Sequence, residues 1–380
     1  MIVELPYGRA PRTIDLGERE ILVLRARELP APRPVAVLLE EELACVALPA
    51  LPPAPRVTII VSDPTRDEPR GALLRAIVPR LPGDARITLA LATGTHGPAP
   101  EAFVTELAGL VGRPLAAIVN HDGHRDRELV ALGTTSRGTP ILVHRCVVEA
   151  ELVVATGCIR PHYFAGFGAG AKAIFPGLGQ AAAVRINHRW KSSPEARAGN
   201  LDGNPCREDL EEAVAALPTL TFLVNGVCGP DRAVHDVVAG ALAAAFRRGC
   251  ALARPWFTVR APRAPLVIAS DVHPVTASLY QAAKLAAAAA PLVAPNGTLL
   301  LVAECADGIG PLEIVNEAIF RIGVLPRLAP GVSLQLLSAL PSSTVRQTLL
   351  TPCDLDALRL SKSPVILMDN ASTLICEATS

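Results

Sequence analysis

The stretch Gly157–His188, GCIRPHYFAGFGAGAKAIFPGLGQAAAVRINH, decides how the rest of the chain is read. An apolar run, Glu151-Leu-Val-Val-Ala-Thr156, leads straight into it. That order predicts a buried strand running out into a polar, glycine-rich loop and then a helix. Gly166, Gly168 and Gly170 carry no side chains, so the backbone can bend and a bulky ligand can lie against it. Successive free amides in such a loop, or at the start of the helix after it, suit a phosphate. The loop matches neither the dinucleotide fingerprint nor the phosphate loop ending in Gly-Lys-Ser/Thr. Alone it is as readily a tight turn. His162, Lys172 and His188, set around the glycines, turn the balance toward a site.

The same arrangement recurs upstream. Val57-Thr-Ile-Ile-Val61 is a buried strand ending in Ser62-Asp-Pro-Thr-Arg66. Polar residues just beyond the carboxyl end of a parallel strand are where open α/β sheets bind ligands. Asp63 as a helix cap and Arg66 as a surface charge are the competing readings. A helix over Gly71–Leu81 and a strand over Arg86–Ala92 follow, and the strand emits Thr93-Gly-Thr-His-Gly-Pro98. A third strand, Ala116–Val119, leads to Asn120-His-Asp122, where His121 and the nearby His124 read as structural or supporting groups. Loops at the ends of neighbouring strands converge on one crevice.

Further strands are predicted at Pro140–Val143 and Leu220–Asn225, and helices at Asp209–Leu217 and Ala239–Ala253. Residues 1 to about 55 are proline-rich. Short strand-like pieces, Met1–Leu5 and Val35–Leu39, place them as an opening hairpin and edge of the first domain. Pro262-Arg-Ala-Pro265 is the expected linker. A second unit then opens with the strand Leu266–Asp271 and the helical Ser278-Leu-Tyr-Gln-Ala-Ala-Lys284, on which Gln281 and Lys284 share a face. Strands at Thr298–Val302, Leu334–Leu337 and Val365–Met368, with a helix over Leu312–Ile322, complete it. The expectation is α/β: two α/β domains with largely parallel sheets, residues 1–262 and 263–380, and an active site in the crevice between them.

Composition narrows the function. With 380 residues, half of them hydrophobic and 19% charged, the chain suits packed domains rather than disorder. The formal net charge is zero, with no basic block, which argues against a nucleic-acid surface. The most suggestive apolar stretch, Leu285–Ala294, is short and broken by Pro291, so no membrane span is expected. With no signal pattern at the start, the expected location is cytoplasmic. Nine scattered cysteines without a Cys-x-x-Cys pair make a disulfide framework or structural zinc improbable. Cys158 reads as a packed strand residue.

The motifs SDPTR, ATGTHGP, PHYFAGFGAGAKAIFPG with a histidine sixteen positions past the lysine, and LYQAAK occur in order between Ser62 and Lys284. Together they closely resemble the nickel-pincer lactate racemase family. The resemblance implies a 2-hydroxyacid racemase or epimerase that carries a nickel-pincer nucleotide, a pyridinium mononucleotide with two sulfur-bearing arms. It implies attachment at Lys172, nickel bound by His188, and further cofactor contacts from Asp63, Thr65, Gly168 and Gly170. Soft sulfur and imidazole donors suit nickel(II). It implies that His96 and His162 are the catalytic acid/base pair, each expected to titrate near neutrality, while hydride leaves C2 for the cofactor and returns. Arg66, Lys284, Gln281 and Tyr280 would bind a small 2-hydroxy acid, and other proteins would be needed to make the cofactor. Phe167 and Ala169 depart from the serine and glycine common in relatives. Arg160 is read as a contact for a second carboxylate or a polyol chain or, more simply, as a solvent-facing charge. Two other readings compete. A zinc hydrolase lacks His-Glu-x-x-His. A non-catalytic nucleotide or metal-cofactor binder of the same fold would have no need of both histidine bases.

Overall fold

The computed structural model describes residues 1–379. Two six-stranded sheets organise it. The first runs, in spatial order, Val234–Ala241, Leu220–Cys228, Leu152–Ile159, Arg56–Ser62, Arg86–Ala92 and Leu115–Asn120. Only the edge strand Val234–Ala241 is antiparallel to its neighbour. The second sheet is parallel throughout: Thr351–Pro352, Ser333–Leu337, Val293–Val302, Ala264–Ser270, Val365–Met368 and Ile21–Leu24.

Parallel strands covered on both faces need apolar side chains at every position, divided between two cores by the two-residue period. All of Leu152–Ile159 is buried. Val153, Ala155 and Ile159 face one core, and Leu152, Val154 and Cys158 the other. The second sheet repeats this, with Leu299 and Leu301 in one core and Leu300 and Val302 in the opposite one.

The chain builds the first sheet outward from Arg56–Ser62 through Arg86–Ala92 to Leu115–Asn120. It then crosses back to lay Leu152–Ile159 on the other side of the starting strand. The carboxyl ends of Arg56–Ser62 and Leu152–Ile159 therefore flank a topological switch point, where open α/β sheets form their ligand crevice. The loops carrying Asp63, His96 and His162 all leave the sheet at this edge.

Four expectations about organisation are corrected. The N-terminal segment does not edge the first sheet. Ile21–Leu24 pairs with Val365–Met368, and the hairpin Ile2–Leu5/Arg12–Asp15 packs Leu5, Ile14 and Leu16 against Leu266, Ile268 and Leu300. Val35–Leu39 is the start of a helix, Val35–Cys45, because its apolar residues Leu38, Leu39 and Leu43 lie on one helical face. The expected linker at Pro262–Pro265 is strand on both sides. Thr258–Pro262 pairs with Ile375–Thr379, and Ala264–Ser270 enters the second sheet. The C-terminal strand thus ties the two sheets together, and its Ile375 is buried in the first-sheet core. Ala239–Ala241 ends a strand, and the helix after it is Leu242–Phe257. Among the described residues, no helix is long and apolar enough to cross a membrane.

Candidate active site

The glycine-rich loop is shaped by contacts that a side chain would obstruct. A Cβ on Gly170 would meet the Phe246 ring at 2.5 Å, and one on Gly166 the Asn200 carbonyl oxygen at 2.1 Å, both at positive φ. The Gly168 amide donates to the Arg160 carbonyl at 2.8 Å, and the Gly170 amide to Asn225 Oδ1 at 3.3 Å. Beneath the loop, the fully buried Arg207 donates from Nε to the Ala165 carbonyl at 3.1 Å and from Nη2 to the Phe167 carbonyl. Phe167 is itself core.

This folding brings Lys172, His162 and His188 around the buried ring of Phe164. Phe164 lies 4.6 Å from the His162 ring and 4.9 Å from that of His188, edge to face, with Lys172 Nζ 5.4 Å from its centroid. Lys172 Nζ is 3.5 Å from His162 Nε2. Burial, then the charges of Arg207 and Arg66, bring the lysine down to about 7. A substantial fraction is therefore the free amine at neutral pH, the nucleophilic form.

His188 sits in the last turn of the helix Ala181–Arg189. Burial, then Lys172 and Lys191, bring it down to about 3, so the ring is neutral. Its tautomer follows from Asn187. That amide donates from Nδ2 to Asp209 Oδ2 at 2.8 Å and to the Cys206 carbonyl at 3.1 Å, so its Oδ1 is the acceptor, 3.1 Å from His188 Nδ1. The proton is assigned to Nδ1, which leaves the Nε2 lone pair free, as a metal ligand requires. Thr135 and Thr139 in turn donate to Asp209.

The other two loops supply a contrasting pair. His96 Nδ1 lies 3.1 Å from Asp63 Oδ2. The Thr65 amide donates to Asp63 Oδ1 at 2.8 Å, as does the Thr65 hydroxyl. Burial works to raise the Asp63 carboxyl, but the hydrogen bonds from Thr65 and His96, with the charge of Arg66, outweigh it and hold it below its ordinary value. His162 is not near neutrality as expected. Burial, followed by Lys172, Arg66, His188 and Lys284, pushes it well below the usual imidazole range.

From the second sheet, Ser278 caps the helix Leu279–Ala289, which carries Tyr280, Gln281 and Lys284. Lys284 Nζ donates to Gln281 Oε1 at 2.6 Å. Its charge acts on His162, and that of Arg66 acts on it. Arg66 and Tyr280 are exposed.

Not every sequence expectation falls in this group. Arg160 reaches neither the crevice nor open solvent. Its Nη2 donates to the Asp67 and Arg232 carbonyls at 2.9 and 3.1 Å, which makes it a loop clasp. His121 is wholly buried and held to the Gly179 carbonyl at 3.0 Å, so it is structural; His124 is exposed. Asn187, Phe164, Arg207 and Arg327 escaped the sequence reading. Arg327 donates across from the second sheet to the carbonyls of Lys191 and Ala196, at 2.8 and 2.6 Å, and of Tyr163 at 3.3 Å. Of the four, only Asn187 carried a signal, its place directly before a candidate ligand.

Comparison with known proteins bears on the family and the fold. The sequence model of the lactate racemase N-terminal domain matches residues 7–199. Lactate racemase of Thermoanaerobacterium thermosaccharolyticum is 30% identical over 349 residues, covering 84% of this chain and 81% of the relative. That of Lactiplantibacillus plantarum is 32% identical over 263 residues, covering 67% and 61%. Among solved structures, the lactate racemase apoprotein from T. thermosaccharolyticum superposes with a TM-score of 0.81 at 22% identity, covering 99% of this chain and all of that one. A Thermotoga maritima protein superposes at 0.61 with 15% identity, covering 91% and 96%. The chain belongs to the lactate racemase family and is an isomerase of the racemase type.

Proposed function

We propose that the protein inverts C2 of a 2-hydroxy acid with a nickel-pincer nucleotide tethered to Lys172. One observation carries this reading: a lysine partly uncharged at neutral pH and a histidine with a free Nε2 lie on two sides of the same buried ring. The residues fit the group. Among the described residues, no cluster of three or more His, Cys, Asp or Glu side chains is placed to hold a metal. His188 would therefore be a single protein donor, with the remaining donors brought by the cofactor. Lys172 would form the covalent link, and Gly168, Gly170, Asp63 and Thr65 would line the nucleotide. When bound, the cofactor supplies the acceptor for hydride from C2.

The protein's own groups do the rest. His96, its Nδ1–H held by Asp63, offers Nε2 to the substrate hydroxyl proton from one side. His162 serves the other enantiomer. Arg66 and Lys284 would hold the carboxylate, Arg66 through its planar fork. Gln281, bonded to Lys284, and Tyr280 would take the remaining oxygens. Cofactor-making proteins are the expected partners. The second reading, a cofactor binder without turnover, is disfavoured by the Asp63–His96 pair, which has no purpose in mere binding.

The test is intact mass and nickel analysis on protein co-expressed with cofactor-making enzymes, beside Lys172→Ala. An adduct with near-stoichiometric nickel, both lost in the variant together with racemisation, is the expected result. No adduct and no nickel, while a lactate racemase loaded in parallel acquires both, would end the pincer assignment.

A further inference from the structure

Lys191 lies three residues past His188. The helix Ala181–Arg189 continues there into the tighter turn Trp190–Ser192, and residues three apart in such a turn lie on one face. Lys191 therefore projects to the same side as the candidate metal ligand, and its charge acts on that imidazole. It is half-buried, and its backbone carbonyl is held by Arg327 at 2.8 Å. Among the described residues its ammonium has no ion pair and no hydrogen-bond partner.

The ammonium stem lines a small cavity of about 30 Å³, together with Lys284, Tyr163 and Tyr280. The remaining wall is apolar, including Ala283 and Val324, and no carboxylate borders the space. The cavity adjoins the chemistry, because the Tyr163 ring stacks on His162 at 5.3 Å. Two lysines, one from each side of the crevice, thus line a pocket with no counter-charge. An unpaired charge against apolar walls is unfavourable until an anion meets it. Lys284 is already proposed for the C1 carboxylate with Arg66, so Lys191 is left over.

We propose that Lys191 receives a second anionic group at the far end of the substrate, and that the preferred substrate is a compact 2-hydroxy diacid. The inference rests on the 2-hydroxyacid racemase reading above. The small volume fits a carboxylate and excludes an aromatic ring. Apart from the two lysines and two tyrosines, the wall offers none of the side-chain donors and acceptors that a polyol chain would need.

The test uses cofactor-loaded wild type, Lys191→Gln and Lys191→Arg, with malate and lactate as probes and chiral chromatography as the readout. The wild type should prefer malate. In Lys191→Gln the ratio of kcat/KM for malate to that for lactate should fall by about 10–100-fold, the scale of one charged hydrogen bond, chiefly through KM for malate. Lys191→Arg should recover much of it. A wild type that does not prefer malate, or a ratio unchanged in Lys191→Gln, overturns the inference while racemisation itself leaves the family chemistry intact. If loaded protein turns over neither acid, calorimetry separates the two ideas. Malate binding more tightly than lactate in the wild type but not in Lys191→Gln sustains the anion site and removes the racemase reading. Equal affinities remove both.

Discussion

His96 and His162 are proposed for the same task in opposite surroundings. The His96 side chain is 52% exposed and leans on a carboxylate, Asp63, that is itself 6% exposed. His162 has no carboxylate. A backbone amide, Ala165 N–H, points at its Nδ1 from 3.2 Å, and cations surround it. In its neutral form the His162 proton therefore belongs on Nε2, facing Lys172, whereas His96 presents a bare Nε2. One base is backed by a carboxylate. The other is held neutral and turned toward the lysine. A site that must serve mirror-image substrates is thus not itself symmetric. Linking Lys172 to a cofactor would remove one of the charges that depress His162, and a bound substrate carboxylate would offset Arg66 and Lys284.

The largest effect expected is on turnover. His96→Ala and His162→Ala should each lower kcat/KM by roughly 10²–10⁴-fold, the usual contribution of a positioned acid or base. The two enantiomers of a singly chiral hydroxy acid have equal free energy. Each variant must therefore lose the same factor in both directions, however different its two bases are. Initial rates from each pure enantiomer, on variants whose adduct mass matches the wild type, check this. If only one of the two variants is impaired, a single histidine performs both transfers and the pairing proposed here is wrong.

A smaller effect asks whether burial alone, without surrounding lysines, also keeps a histidine neutral. His121 and His144 form such a pair, with ring centroids 6.0 Å apart under the start of the helix that bears His188. Burial, then the neighbouring His121 and despite Glu128, brings His144 down to about 4; burial also lowers His121. Between the unfolded value near 6.5 and about 4 for His144, and below 6.5 for His121, the unfolded chain binds protons that the folded chain does not. Stability should therefore be intact above pH 6.5 and fall as pH drops, by about 1.4 kcal/mol per pH unit for each such histidine. Urea denaturation of the apoprotein at pH 7 and pH 5 measures it. Equal stabilities at the two values would show these rings to be protonated in place.

Much of this was legible in sequence, and unevenly so. The four inner strands of the first sheet announce themselves because both faces are largely buried, and runs such as Val57–Val61 have no other stable use. Their polar ends then mark the crevice. The domain assignment of Ile21–Leu24 was not legible, since a four-residue apolar strand fits either sheet edge and only packing against Val365–Met368 chooses. Asn187 and Phe164 illustrate the same limit within the site. Asn187 stands directly before a candidate ligand, yet the residue type itself does not say which ring atom it will hold, and Phe164 carries no signal at all. The neutral state of His162 was missed because it arises from burial first, and then from the charges of Lys172, Arg66 and Lys284, which meet only after folding.

The smallest effect concerns the loop that holds Lys172 beside His162. Ala169 adopts φ 62° and ψ −161°, a region in which a Cβ is crowded and which glycine alone occupies without strain. Neighbouring bonds hold the conformation, with Gly168 bonded to the Arg160 carbonyl and Gly170 to Asn225. Ala169→Gly should relieve the strain at the expense of a more flexible unfolded chain, for a net gain of about 1 kcal/mol, measured by urea denaturation of the apoprotein. A loss of stability would mean that the Ala169 methyl contributes more by packing than it costs in strain. The adduct mass of the same variant then separates two uses of the alanine. Unchanged loading makes it a tolerated substitution. Slower loading makes the stiffened loop part of how Lys172 is kept against His162, the contact that sets this half of the site apart from the open, carboxylate-backed half at His96.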